Sequence, residues 1–266
     1  MEIMQIYHAL MEKYGPQGWW PLLSHHGKGD NPTLRGVSTG YHKNDFSIPN
    51  SESDIFEVMI GAILTQNTSW VRAEAAIIEL NNQHLLSIDS LDQITTEELA
   101  QIIKTSGYYN QKAIKIKNLI AFLKQHPISE LQRMEIKELR ENLLSIKGVG
   151  NETADSIILY ALQKQIFVID AYTKRLISRL GICDFKIEYE DLQKIFHHAI
   201  DPSVQVFNEF HALIVQHCVH ICLKKPKCLE CIFNSDCKKI IPVESTKKTT
   251  KKPKIQPEKS KTKKND

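Results

Sequence analysis

Along residues 54–182 apolar side chains recur at the three-and-four spacing of a helix face, and the alternation that marks a strand is nearly absent. This regularity points to an all-α fold. "DIFEVMIGAILTQ" (54–66) is apolar nearly all round, the pattern of a central buried helix. "WVRAEAAIIELNNQ" (70–83) is amphipathic through Val71, Ala75 and Ile78. Thr95 and Glu98 make a capping box that opens a helix ended by Gly107. Further helices are expected over 108–126, stopped near Pro127, and over 136–146, 151–164 and 170–182. Residues 22–53 interrupt the pattern. They are rich in Gly, Ser, Asn, Pro and His without periodicity, and read as a long loop or insertion.

Charge separates the end of the chain from the rest. From Lys238 to Asp266 there are eleven lysines against three acids, a net +8, so the whole chain's +3 leaves −5 on residues 1–237. Residues 238–266 hold almost no large apolar groups and are expected to be disordered. Such a tail either keeps the protein soluble or attracts a polyanion, nucleic acid above all. No stretch approaches the ~18 uninterrupted apolar residues of a membrane span, and the first residues lack a secretory pattern. A cytoplasmic, nucleoid-associated monomer is the expectation. In that compartment six cysteines read as thiols or metal ligands rather than disulfides.

Between two helix patterns stands "IKGVGNETADSIILYA" (146–161). Gly148 and Gly150 flank Val149, and glycine permits backbone conformations and close approaches that a Cβ forbids. The amides that follow are unpaired donors of a helix's first turn, where a phosphate fits. A main-chain contact of that kind grips a nucleic-acid backbone without reading bases. A plain corner with a glycine cap is the bland alternative. Twenty positions past Gly150 lies Asp170, in "FVIDAYTKRL", ahead of a helix. Its default role is the N-cap. A carboxylate fixed there also stays ionised, and so suits stabilising positive charge on a sugar or orienting a water. Finally, Cys222, Cys228, Cys231 and Cys237 are spaced C-x5-C-x2-C-x5-C. Thiolates so close need a metal to neutralise them, and zinc is the default for four cysteines.

Together, "IKGVGNETADSIILYA", "FVIDAYTKRLISRLGI", "GAILTQNTSW" and "SGYYNQKA" resemble the endonuclease III superfamily of helix-hairpin-helix DNA glycosylases. "GWWP", "LTQNT", "GYYNQKA" and "GNETAD" are closest to its 3-methyladenine branch. The resemblance implies two helical parts: 54–164 ending in the hairpin, and 1–21 with 165–237 carrying the cysteine loop. It implies Asp170 as the catalytic aspartate, and Gly148, Val149, Gly150 and Thr153 as the DNA clamp. Gln66 and Asn67 stand where relatives insert a polar side chain into the duplex. Trp19, Trp20 and Pro21 would line the base pocket, with Tyr108 and Tyr109 as further candidates. For the four cysteines the likeness implies a [4Fe–4S] cluster, leaving zinc as the alternative. Relatives that cut the strand carry a lysine two positions after the second hairpin glycine; here that position is Glu152, and a carboxylate cannot form an imine. The implied activity is hydrolysis of the N-glycosidic bond of an alkylated base in double-stranded DNA, without strand cleavage. Two alternatives stay open: a glycosylase for oxidised or deaminated bases, and a DNA-binding protein without catalysis.

Overall fold

A computed structural model of the chain describes residues 1–28 and 30–240. The lysine-rich segment from 241 onward lies outside the described residues. Among the described residues all regular structure is helical. In chain order the helices are α1 (Ile3–Tyr14), α2 (Glu52–Leu64), α3 (Trp70–Asn82), α4 (Ile88–Gln93), α5 (Thr96–Ile102) and α6 (Tyr109–Leu123). They continue with α7 (Ile128–Leu131), α8 (Ile136–Ser145), α9 (Asn151–Ser156), α10 (Ala171–Leu180), α11 (Tyr189–Ala199) and α12 (Val204–His220). A π-helical turn, Ile157–Ala161, extends α9.

α2 is the axis of the fold. Every residue from Asp54 to Leu64 is buried, against α3, α6, α9 and the π turn. Ser51 caps its start by accepting from the Asp54 amide at 3.1 Å. At its other end Lys112, itself buried, donates to the Leu64 and Ser106 carbonyls at 2.7 Å each. That ammonium satisfies a carbonyl the helix end would leave orphaned. Burial, with Lys115 nearby, lowers its pKa to about 8. Thr95 and Glu98 form the expected capping box.

The first helix joins the last ones: α1 packs on α12 and touches α11, while α10 packs on α12. α12 is nearly all buried along its middle, from Phe207 to Ile214, so it shows no clean apolar stripe.

The described part of residues 22–53 forms a loop, with only the short turn Leu23–His25 before α2. It is nonetheless pinned by side chains of distant helices. Glu74 of α3 accepts from the Val37 and Ser38 amides at 2.8 and 2.6 Å. Gln216 and His220 of α12 reach the Pro32 and Thr33 carbonyls at 2.9 and 3.0 Å. Periodicity is silent about anchoring of this kind, because it comes from single long-range partners.

Candidate functional site

The turn between α8 and α9 holds Gly148 at φ +104, where a side chain would be strained and a Cβ would run into Lys115. Gly150 caps α9, and a Cβ there would meet nothing within 4 Å. Among the described residues no acceptor is bonded to the amides of Gly150, Asn151, Glu152 or Thr153. Donors left unbonded in this way are what an anion grip requires. Val149 does not belong with them. It is 7% exposed, and its N–H donates to the Ile146 carbonyl at 3.0 Å, so it anchors the turn instead of contacting a ligand. We expect Gly148→Ala to destabilise the fold by roughly 1–3 kcal/mol, since it combines a left-handed φ with a collision. Gly150→Ala should leave stability unchanged and weaken DNA binding. Urea unfolding and a duplex-binding titration check both; equal effects on stability would refute this reading of the turn.

Gln66 and Asn67, adjacent in sequence, do different work. The Gln66 Nε2 donates to the Gly148 carbonyl at 3.2 Å and to Thr153 Oγ1 at 2.9 Å, while its Oε1 accepts from Lys115. Its side chain is a clasp between α2 and the hairpin and is not free to enter a duplex. Asn67 is exposed, at φ +52, and carries no such bonds. Together with Lys115, Gly148, Gly150, Glu152 and Thr153 these residues border an open cleft of about 250 Å³. A second opening of about 290 Å³ runs from Asn67 past Lys112 to Tyr108. Tyr108 is therefore 66% exposed beside Asn67, and Tyr109 packs partly against the core. Neither joins the tryptophans.

Asp170 is the N-cap of α10, and its Oδ1 accepts from the Thr173 amide at 2.6 Å. Its Oδ2 lies 3.6 Å from His211 Nε2, and His211 Nδ1 lies 2.6 Å from the Tyr160 hydroxyl. The carboxylate is recessed rather than sealed, its side chain 10% exposed. Burial alone would raise its pKa, but His211 and the Thr173 amide outweigh burial and hold it below the usual carboxylate range. Glu152 is pushed the other way, up to about 7, by crowding on most sides and by the negative charge of Asp170. It still meets solvent, and its shift is upward because the open side does not offset those two effects. The two carboxyls are thus shifted in opposite directions, Asp170 toward the ionised form and Glu152 toward the protonated one.

The two tryptophans meet edge-on, ring centroids 6.2 Å apart, and share Tyr160, but they differ in exposure. Trp20, 6% exposed, packs edge-on against Trp70 and Tyr160, and Gly61 makes room for it, a Cβ there lying 3.2 Å from the indole. Pro21 is buried too. Trp20 belongs to the core behind the site, because aromatic rings of α3 and the π turn close over it. Trp19 stays half-buried, its ring 6.1 Å from His211 and 6.2 Å from Tyr160. α12 fixes this segment: Glu209 accepts from the Gln17 and Gly18 amides at 2.7 and 3.0 Å, and Asn208 donates to the Trp19 carbonyl at 2.9 Å. Tyr160, Asn208, Glu209 and His211 are not singled out by motif. The only signal is polar residues set into the apolar run "FNEFHALIV".

Cys222, Cys228, Cys231 and Cys237 line one cavity together with Arg179 and Phe233. Among the described residues no three His, Cys, Asp or Glu side chains converge on a point where a single ion would sit. Arg179 is 4% exposed and donates to Cys222 Sγ at 3.3 Å and to the Leu223 and Lys224 carbonyls at 2.6 and 2.9 Å. Cys183, half-buried, and Cys218, buried, stand outside this set.

Comparison with known proteins supplies context. A family model described as HhH-GPD superfamily base excision DNA repair protein matches residues 60–202. The chain is 37% identical over 239 residues, 88% of its length and 95% of the relative's, to a provisionally named DNA repair glycosylase of Methanocaldococcus jannaschii. It is 28% identical over 187 residues to endonuclease III of Sulfolobus acidocaldarius, covering 70% of this chain and 82% of that one. Among solved structures, H. pylori 3-methyladenine DNA glycosylase (MagIII) bound to 1,N6-ethenoadenine aligns at TM-score 0.61 and 25% identity, over 82% of this chain and 97% of that one. A trapped endonuclease III–DNA covalent intermediate aligns at TM-score 0.67 and 18% identity, over 89% and 94%, a likeness of fold.

Proposed function

The chain belongs to the HhH-GPD superfamily of base excision DNA repair proteins, and on that footing we propose a monofunctional DNA glycosylase. It removes alkylated, 3-methyladenine-like bases from double-stranded DNA and leaves the strand uncut. The observation that carries this is Asp170, a recessed anion capped by the Thr173 amide with His211 Nε2 3.6 Å away, in a chain whose hairpin amides are unpartnered among the described residues. The amides grip the sugar–phosphate strand, and Asn67 fills the gap left by the extruded nucleotide. Trp19 offers an aromatic face to a cationic, alkylated purine, worth about 0.5–2 kcal/mol. That base already carries positive charge, so it leaves as a neutral molecule without an acid. Asp170 stabilises the cationic sugar as the N-glycosidic bond breaks; water then adds its oxygen to C1′ and gives its proton to Asp170.

Lyase chemistry needs a free amine at the sugar. Glu152 stands at the position where strand-cutting relatives carry lysine, and Lys115, which borders the cleft, is engaged by Gln66. The 25%-identical alkylbase glycosylase supports the substrate class. The four cysteines line one cavity, and four thiolates are the donor set that would hold a [4Fe–4S] cluster, with zinc as the alternative. When bound, that cluster neutralises the thiolates and orders the loop; Arg179 knits the loop's carbonyls to α10.

Incubation with a panel of duplexes bearing methylated, oxidised or deaminated bases should release free alkylpurine first, with no borohydride-trapped protein–DNA adduct. A trapped adduct would overturn the reading of Glu152. Preferential release of an oxidised or deaminated base would reassign the substrate.

A further inference from the structure

We propose that His211 is a positioning residue for Asp170, with Tyr160 behind it setting its tautomer; the inference rests on the reading of Asp170 given above. The ring lies between two groups on other elements. On one side the Tyr160 hydroxyl stands 2.6 Å from Nδ1, and its next acceptor, the Asn208 carbonyl, is at 3.5 Å. On the other side Nε2 is buried and, among the described residues, has no hydrogen-bond partner. Asp170 Oδ2 lies 3.6 Å from that nitrogen, just beyond bonding distance. A lone pair on Nε2 would face an anion across a nearly dry gap, with His211 only 7% exposed. The stable arrangement has Tyr160 donating to Nδ1, which leaves the hydrogen on Nε2 pointing at the carboxylate. A small rotation of either side chain completes the bond.

A histidine satisfied within a core would explain Tyr160 but not the orphaned Nε2. An unpaired buried donor is destabilising, so its retention beside the reacting carboxylate is informative. The same stretch of α12 also holds Trp19, the ring that the proposed function sets against the base. Asn208 and Glu209 fix the segment at Trp19, and the Trp19 ring stands edge-on to His211 at 85°. One rigid segment therefore sets both the face that meets the base and the anion that meets the sugar.

The groups acting on Asp170 come from several elements. Glu152 of α9, Tyr160 of the π turn, Tyr172 of α10 and Cys218 of α12 each sense its negative charge, while His211 and Thr173 favour its ionised form. Loss of His211 removes the main counterweight to burial. The Asp170 pKa must then rise, and the acid limb of the rate profile must move to higher pH.

Three variants, His211→Phe, His211→Gln and Tyr160→Phe, test this. His211→Phe should lower single-turnover base release about 10²-fold while leaving affinity for a duplex carrying an abasic analogue unchanged. Its acid limb should shift upward. His211→Gln can still present an amide N–H to Asp170 and should recover most of the rate and of the profile. Tyr160→Phe should fall between wild type and His211→Phe. Independently of substrate, 13C-aspartate spectra identify Asp170 by its loss in Asp170→Asn, and its titration midpoint should move up in His211→Phe. If Phe and Gln variants match wild type, or if that midpoint stays still, the proposal is overturned. Wild-type protein that releases no base, with the midpoint still displaced, would sink the glycosylase reading and leave the pairing standing. Should the Phe variant fail to fold, the Gln and Tyr160→Phe spectra decide alone.

Discussion

Asp170→Asn is expected to lower single-turnover base release by about 10³-fold, the scale of losing a pre-organised charge at a developing cation. The substitution is nearly silent elsewhere. Asn can keep the cap, because its side-chain oxygen still accepts from the Thr173 amide that Asp170 holds at 2.6 Å. What disappears is the negative charge. That charge is also the second cause of the raised Glu152 pKa, so Glu152 should titrate lower in the variant than the value of about 7 it has beside Asp170. The two effects form one signature: slower chemistry, unchanged DNA affinity, and a Glu152 midpoint moved down. Asp170→Ala would add loss of the cap, about 1 kcal/mol in unfolding free energy. Base release by Asp170→Asn at the wild-type rate would remove the carboxylate from the mechanism altogether.

Much of this site was legible because its parts obey local rules. A helix that must start after a glycine turn shows its open amides in sequence, and Asp170 takes the N-cap that its place ahead of a helix predicts. The capping box at Thr95 and Glu98 was readable for the same reason. Neighbours in sequence can differ in ways no local pattern shows. Trp19 stays partly open while Trp20, edge-on against it, is buried, and Gln66 is held by the hairpin while Asn67, at φ +52, swings out. Tyr108 likewise leaves the core at φ +49 and joins the rim near Asn67. α12 was hidden by its own burial, since a helix apolar on all sides has no stripe to read. His211, Asn208 and Glu209 went with it. Their roles depend on partners as much as 192 positions away, as in the bond from the Gln17 amide to Glu209, and no local pattern encodes such a pairing.

Asp155→Ala should lower stability by about 3–5 kcal/mol and weaken DNA binding with it, although Asp155 touches no ligand. The carboxylate is wholly buried one turn beyond the hairpin amides, where it gathers four donors from two other helices. Arg140 of α8 reaches Oδ1 with Nε at 2.7 Å and Oδ2 with Nη2 at 3.3 Å. The Tyr189 hydroxyl and Gln193 Nε2, both of α11, donate to Oδ2 at 2.8 Å each. Alanine would strand a guanidinium that is only 21% exposed, along with two further donors, in a cavity too polar to stay dry. Water can reach part of Arg140, which places the expected loss toward the lower end of that range. Replacing Arg140 by Met in the same chain should recover part of it, because the uncompensated charge is then gone. Since Asp155 is what ties α9 to α8 and α11, the amides of Gly150 to Thr153 should lose their common orientation once it is removed. Hydrogen exchange in α9 should therefore rise along with the fall in the urea midpoint. Unchanged exchange and undiminished DNA affinity in Asp155→Ala would mean that the hairpin holds its shape without this buried tie.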